Sequence, residues 1–565
     1  MRKLRVGFLL DSLSPNFYSR DLIDFVYKNE SFETPVLITG YKANVSQSEK
    51  IKKSLIKFFK NPITTFDSIL KSLLYRFIYL IEIKSVKKLY PNYASNKILD
   101  NQRDFQIINV KGSWSKSELF LEFNEEELKK ISESKLDCII RCGSGILRGG
   151  ILDISRFGVI SFHHGDNRVN RGGPSGFWEV FLQEPSSGFI IQKLNQELDG
   201  GQVLFRGNLM TSNLWLKNNA NLLEKSNIFL KKLILDLAKS KNLPNFEGVT
   251  LHGNKLYKIR SSFEYLRYIY KIILPKFLKT LVAFFFSPLI IRWSVAFSYH
   301  NNFSKSLWRY KEIKNPKGRF LADPFIIEHN GLNYIFVEDF LYNENKGRIS
   351  AIKIDGDSYD FLGVILEEDF HLSFPFIFKD GEDIYMIPES CKNQDIRLYK
   401  CLDFPYSWKF EKQLMADVDA ADTMLLQKDD TWFMFTNICS SGIKDHQSEL
   451  HIFYSKNLKT SSWNPIGSGN PVIFDPLTGR NGGIFCHNEK TYRINQVHDQ
   501  DHYGKSFNVN EIVKITQDEF LEKKVSVVEP NFRPSIISTH HFSANNVLAA
   551  VDYARLERQK SVLKK

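Results

Sequence analysis

Apolar positions in this chain follow one rhythm in its first half and another in its second. Near the start, Val6-Gly7-Phe8-Leu9-Leu10 is an unbroken apolar run that stops at Asp11. Such a run marks a short strand buried on both faces, the usual opening of an α/β domain. A second strand of this kind, Cys138-Ile-Ile-Arg141, enters a glycine-containing turn, Cys142-Gly-Ser-Gly145. A helix follows over about 149–156, then a third strand, Gly158-Val-Ile-Ser-Phe162. Helix and buried strand in alternation predict an α/β domain over 1–243, with a helical insertion over about 45–120.

Beyond residue 290 the pattern becomes short hairpins that repeat. Phe325-Ile-Ile-Glu-His-Asn-Gly-Leu-Asn-Tyr-Ile-Phe336 is matched by Phe376–Ile387, Leu425–Phe435, Ile484–Ile494 and, more loosely, His541–Val551. The aromatic positions Tyr334, Tyr385, Trp432 and Tyr492 stand 51, 47 and 60 residues apart. Asn330-Gly331 and Asp380-Gly381 supply the positive-φ residues of tight turns. Further strand-like sequence follows each hairpin, so each copy has room for four strands. Four strands repeated radially form a propeller blade, and five copies predict a five-bladed β-propeller over 291–565.

Composition narrows the class. With 565 residues, 43% hydrophobic and 25% charged, the chain is neither disordered nor of low complexity. None of its six cysteines forms a C-x-x-C pair, and the first apolar run is too short for a secretory signal. Reduced thiols and a cytoplasmic location are expected. The net charge of +12 is concentrated in two stretches, Ile51–Lys88 and Lys255–Arg292, each carrying +7 and each rich in Phe, Tyr, Leu and Ile. The second overlaps a predicted basic, apolar helical connector over 244–290. Such stretches suit peripheral contact with a membrane, at the inner face of the membrane for a cytoplasmic protein. They are too apolar for tracking phosphates, and no nucleic-acid partner is expected.

The residues beside the predicted inner strands are chemically selective. Asp323, His371, Glu389, Asp422, Arg480, Gln496 and Asp499 come from different copies, and in a propeller they would converge on one funnel. Carboxylates with Arg, His and Gln in a funnel suit a sugar. In the first half, His163 ends a strand, and Asp199 lies on a glycine-containing turn 36 residues later. A histidine with a nearby aspartate is a plausible acid/base arrangement.

Two resemblances follow from these residues. The run Ala322-Asp-Pro-Phe325, His371-Leu-Ser-Phe-Pro-Phe376 and Gly381-Glu-Asp-Ile-Tyr-Met-Ile-Pro-Glu-Ser390 resembles the propeller domain of plant glucosamine inositolphosphorylceramide transferases. It is more distantly similar to five-bladed glycoside hydrolases, whose general base falls at Asp323. The stretch from Cys138 through His163 to Leu198-Asp-Gly200 resembles the formyltransferase catalytic domain. That resemblance implies transfer of a formyl group from 10-formyltetrahydrofolate to the amine of an amino sugar, in glycan or glycolipid biosynthesis. His163 would shuttle protons, Asp199 would orient it, and Ser161 would stand where the family has an oxyanion-binding asparagine. Gly145, Ile146 and Leu147 would line the folate pocket, and the chemistry requires no metal. Two other readings accompany this one. One is a propeller-centred carbohydrate-active enzyme, glycosidase or glycosyltransferase. The other is a non-catalytic glycan-binding protein with a degenerate first domain.

Overall fold

The structure is a computed structural model. It describes residues 2–41, 61–96, 99, 103–117, 119–169, 171–197, 200–246, 256–285, 288–299, 306–440, 443, 445–500, 502–559 and 562. The chain divides into two compact units, Met1–Pro275 and Lys276–Lys565.

The first unit is built on a seven-stranded sheet. Its order is Gln202–Met210, Ser186–Lys193, Val159–His163, Cys138–Arg141, Val6–Leu9, Val36–Thr39 and Gln106–Asn109. The last five run parallel, and Ser186–Lys193 pairs antiparallel with both of its neighbours. Val6–Leu9 and Cys138–Arg141 are adjacent although more than a hundred residues separate them. The winding direction reverses between them, and ligands of open α/β sheets bind at the carboxyl ends of strands at such a point.

Two sequence expectations need correcting here. Part of the predicted helical insertion, 45–60, 97–98, 100–102 and 118, lies outside the described residues. Within the rest, Pro62–Leu89 is one long helix, but Gln106–Asn109 is the edge strand of the sheet. The proposed connector is also not a separate element. Helix Ser262–Tyr268 packs against Pro62–Leu89 and belongs to the first unit. Its Tyr268 hydroxyl donates to Glu82 at 2.7 Å and accepts the Trp215 N–H at 2.8 Å, so buried polar groups tie it down.

The second unit contains five antiparallel sheets of about four strands each, an arrangement like a β-propeller. The innermost strands are Arg319–His329, Ser373–Asp380, Ala420–Lys428, Asn481–His487 and Phe542–Ala544. Each packs against the next, and the fifth packs against the first. Asn330 and Gly331 both have positive φ, as the hairpin turn requires. One sheet is made from both ends of the unit, Leu289–Tyr299 pairing along its whole length with Leu548–Arg558.

Candidate functional site

A repeated irregularity positions the centre of the second unit. The inner strands lose regular pairing at matching places: between Ala322 and Phe325, Ser373 and Phe376, Ala421 and Met424, and Asn481 and Gly483. Asp323, Phe374 and Asp422 sit in these bulges with φ of 52°, 44° and 48°, and Gly483 has φ of 127°. Pro324 and Pro375 follow two of the bulged residues and have no N–H to give the ladder. A bulge re-aims its side chain, and a left-handed residue other than glycine is held at a cost of about 1–3 kcal/mol. On the second strand of each sheet, the residue opposite the bulge is Glu338, Glu389, Asn437 or Asn495.

Five acids and two cations interlock there. Asp422 accepts from Arg480 Nε at 2.6 Å and Nη2 at 3.4 Å, and from Gln496 Nε2 at 2.9 Å. The Arg480 guanidinium also lies 3.7 Å from Glu389 and 5.0 Å from the centre of the Tyr503 ring. On the other side, Asp323 receives the Phe374 N–H at 3.2 Å and has His540 Nε2 at 3.4 Å. His540 Nδ1 is 2.8 Å from Asp552, which also accepts the N–H groups of Asp323, His540 and His541. Glu338 is 3.5 Å from His371 Nε2, whose Nδ1 accepts the Gly347 N–H.

Burial sets the ionisation of this group. It pushes Asp323 up to about 7, with His540 pulling the other way, and it pushes Glu389 up to about 8, with the neighbouring Asp422 adding to the effect. Glu338 is raised well above the usual carboxylate range by burial and by the acids around it. Burial opposes the charge on Arg480, but Asp422 outweighs it and keeps the guanidinium protonated. Burial likewise opposes a charged His540, and Asp552 and Asp323 reverse that preference. His371, with no such support, is pushed down to about 4 by burial. Asp323, His540 and Asp552 bring one ligand atom each within 4.8 Å of one another and so could hold a cation. They are also already linked by hydrogen bonds and ion pairs.

The sequence-predicted residues divide accordingly. Asp323, Glu389, Asp422, Arg480 and Gln496 meet in the centre, and His371 reaches it through Glu338. Asp499 does not: its carboxylate takes Lys505 Nζ at 2.6 Å and the Gln500 N–H at 2.7 Å, at a hairpin end. Sequence reasoning missed Glu338, Tyr503, His540 and Asp552. Glu338 had a usable signal, since it stands 51 residues before Glu389, the same interval as Tyr334 to Tyr385.

In the first unit, Ile146, Leu147, Ser161 and His163 do come together, around a cavity of about 220 Å³ beside Gly145. Arg141 lines this cavity at the strand ends. Its Nη1 donates to Ser161 Oγ at 3.3 Å, and its Nη2 donates to the Gly145 carbonyl. The Ser161 hydroxyl donates to the Phe162 carbonyl at 3.2 Å. Asp199 lies outside the described residues. A second cavity of about 180 Å³ adjoins it, sharing Arg141, Ser161 and Phe162.

The comparisons with known proteins bear on the second unit. Residues 310–536 match the family model of glucosamine inositolphosphorylceramide transferase 1, N-terminal. A protein of that name from Oryza sativa subsp. japonica is 33% identical over 213 residues, 37% of this chain and 28% of the relative. The Arabidopsis thaliana protein is 34% identical over 213 residues, 36% of this chain and 27% of the relative. The chain thus spans little more than a quarter of the length of the curated relatives it matches.

Likenesses to solved structures are slight. The catalytic domain of Coprinopsis cinerea GH62 α-L-arabinofuranosidase gives a TM-score of 0.32 at 11% identity, covering 46% of this chain and 97% of that one. The N-formyltransferase from Helicobacter canadensis gives 0.27 at 9% identity, covering 59% and 95%.

The expectation of formyl transfer is therefore corrected. The relatives that match in sequence are named as glucosamine inositolphosphorylceramide transferases, and they favour the carbohydrate reading centred on the second unit.

Proposed function

We propose that the second unit is a carbohydrate-active transferase site that acts on the sugar of a glycan or glycolipid. The observation that carries this reading is the pair of carboxyl groups, Asp323 and Glu389, pushed to about 7 and about 8 within one buried ring of inner strands. At neutral pH Glu389 holds a proton that it can donate to a leaving oxygen. Asp323 titrates near neutrality and can take the proton of an incoming hydroxyl. One site thereby supplies an acid and a base, the division that glycosyl chemistry needs. Arg480, Gln496 and Tyr503 add the cationic, amide and aromatic groups that orient a sugar. The names of the relatives point to a glycolipid as substrate class and to transfer as the reaction.

The test is turnover by the full chain on a panel of glucosamine-bearing and inositolphosphoryl glycolipids, with products read by mass spectrometry. Asp323→Asn and Glu389→Gln should each lower the rate by about 10² or more, while His163→Ala leaves it unchanged. Loss of turnover in His163→Ala, with both acid variants active, would refute the proposal.

A further inference from the structure

We propose that helices Pro62–Leu89 and Ser262–Tyr268 form a docking face that lies in the surface of an anionic phospholipid bilayer. The reasoning concerns the first unit alone and does not depend on the function of the second.

Helix Pro62–Leu89 has two apolar stripes. One, including Ile78 and Val86, is buried with Tyr265, Tyr268 and Ile272. The other consists of Phe66, Ile69, Leu73, Phe77 and Leu80, spaced three, four, four and three residues apart. At 100° per residue these five fall on one side of the helix, opposite the buried stripe, over about 21 Å of its length. All five are exposed, Phe66 by 66% and Leu80 by 71%. The segment that continues Ser262–Tyr268 shows the same feature. Phe263, Leu266, Tyr270 and Leu274 recur at helical spacing and are all exposed, Tyr270 by 72%. Water-soluble surfaces rarely carry contiguous apolar faces of this extent without a partner.

The charges identify the partner. Helix Pro62–Leu89 contains two acids, and both are turned to the packed side. Asp67 accepts the Ser262 N–H at 2.8 Å, and Glu82 is fully buried, accepting the Leu216 N–H at 2.8 Å and the Tyr268 hydroxyl. The outward charges that remain on this helix are Arg76, Lys84, Lys87 and Lys88, all exposed. On the second helix, Glu264 is held in the N-terminal cap by Ser261. Arg267 and Lys271 both lie over the Phe181 ring. An apolar stripe with aromatic members, bordered by cations and cleared of acids, complements acyl chains beneath negatively charged headgroups. A protein groove of ordinary composition would not require that every acid be withdrawn. The described residues contain no helix long and apolar enough to cross a membrane, so the helices would lie on it.

Vesicle flotation of the full chain tests this. The lipids are phosphatidylcholine alone and phosphatidylcholine mixed with phosphatidylserine. The wild type should float with the anionic vesicles and much less with the neutral ones. Replacing Lys84, Lys87 and Lys88 together by glutamine should weaken binding about a hundredfold, each lysine contributing about fivefold near such a surface. The triple variant Phe66→Ser, Leu73→Ser and Leu80→Ser changes only exposed positions, so its circular dichroism melt should match the wild type while flotation is lost. The proposal is overturned if the wild type floats with neither vesicle, or if the serine variant floats as well as the wild type. It is also overturned if light scattering shows a dimer that the serine substitutions disperse, since the face then joins two copies of this chain.

Discussion

Replacing Arg480 with methionine removes the cation from the most crowded part of the ring centre. The side chain keeps its length and apolar stem, so the change is mainly electrostatic. Asp422 loses contacts at 2.6 and 3.4 Å and keeps the Gln496 amide and the Glu389 carboxyl as side-chain partners, and Glu389 loses the guanidinium at 3.7 Å. Asp422 is then a buried charge without a counter-ion, a change that costs about 3–5 kcal/mol. For a unit of about 290 residues, unfolding entropy near the midpoint is roughly 0.6 kcal/mol per degree. The transition of the second unit should therefore fall by about 5–8 °C, measured by differential scanning calorimetry on the full chain. Adding Asp422→Asn removes the stranded charge, and the double variant should recover most of the loss, ending within about 2 kcal/mol of the wild type. A double variant as unstable as Arg480→Met alone would show that the arginine stabilises by packing and that the charge argument is wrong.

Three further outcomes follow from other parts of the molecule. Asp323 and Glu389 are raised to about 7 and about 8, so the folded second unit keeps protons that an unfolded chain has lost above about pH 4. The stability these two groups contribute is fully present below that pH and should decline as pH rises towards 8; Glu389→Gln should flatten the upper part of the decline in a series of melting curves, and parallel curves would count against the shift. Gly483→Ala places a methyl 2.3 Å from the Phe542 carbonyl oxygen at a φ of 127°, and should cost about 1–3 kcal/mol or more, read as a lowered denaturation midpoint. Glu82→Ala leaves the Leu216 N–H and the Tyr268 hydroxyl without their buried acceptor, and should destabilise the first unit by about 3 kcal/mol in urea titration, with Glu82→Gln costing less.

The repeat was legible because hairpin turns and strand alternation are local properties. Asn330-Gly331 announces its turn regardless of what surrounds it, and the aromatic interval counted the first four sheets. The fifth was faint because its strands come from opposite ends of the unit: Leu289–Tyr299 finds Leu548–Arg558 only through the closed fold. His540 and Asp552 were missed for the same reason, lying in the divergent copy where the interval fails. Asp499 was over-read; proximity to an inner strand in sequence does not turn a hairpin-end carboxylate inward. In the first unit, the strand ends carrying Arg141, Ser161 and His163 were visible as apolar runs meeting polar residues. What was not visible is that Arg141 would occupy Ser161, a contact between neighbouring strands that depends on their order in the sheet.

The pairing of Leu289–Tyr299 with Leu548–Arg558 also constrains how the molecule comes into being. Asp552, which receives the Asp323 N–H and holds His540, is supplied by the last strand of the clasp. The first four sheets are built from consecutive chain, but the ring centre stays incomplete until Leu548–Arg558 pairs with a strand made some 250 residues earlier. A chain cut before Leu548 would hold most of its hairpins yet lack the joint that brings Asp552 to Asp323 and His540.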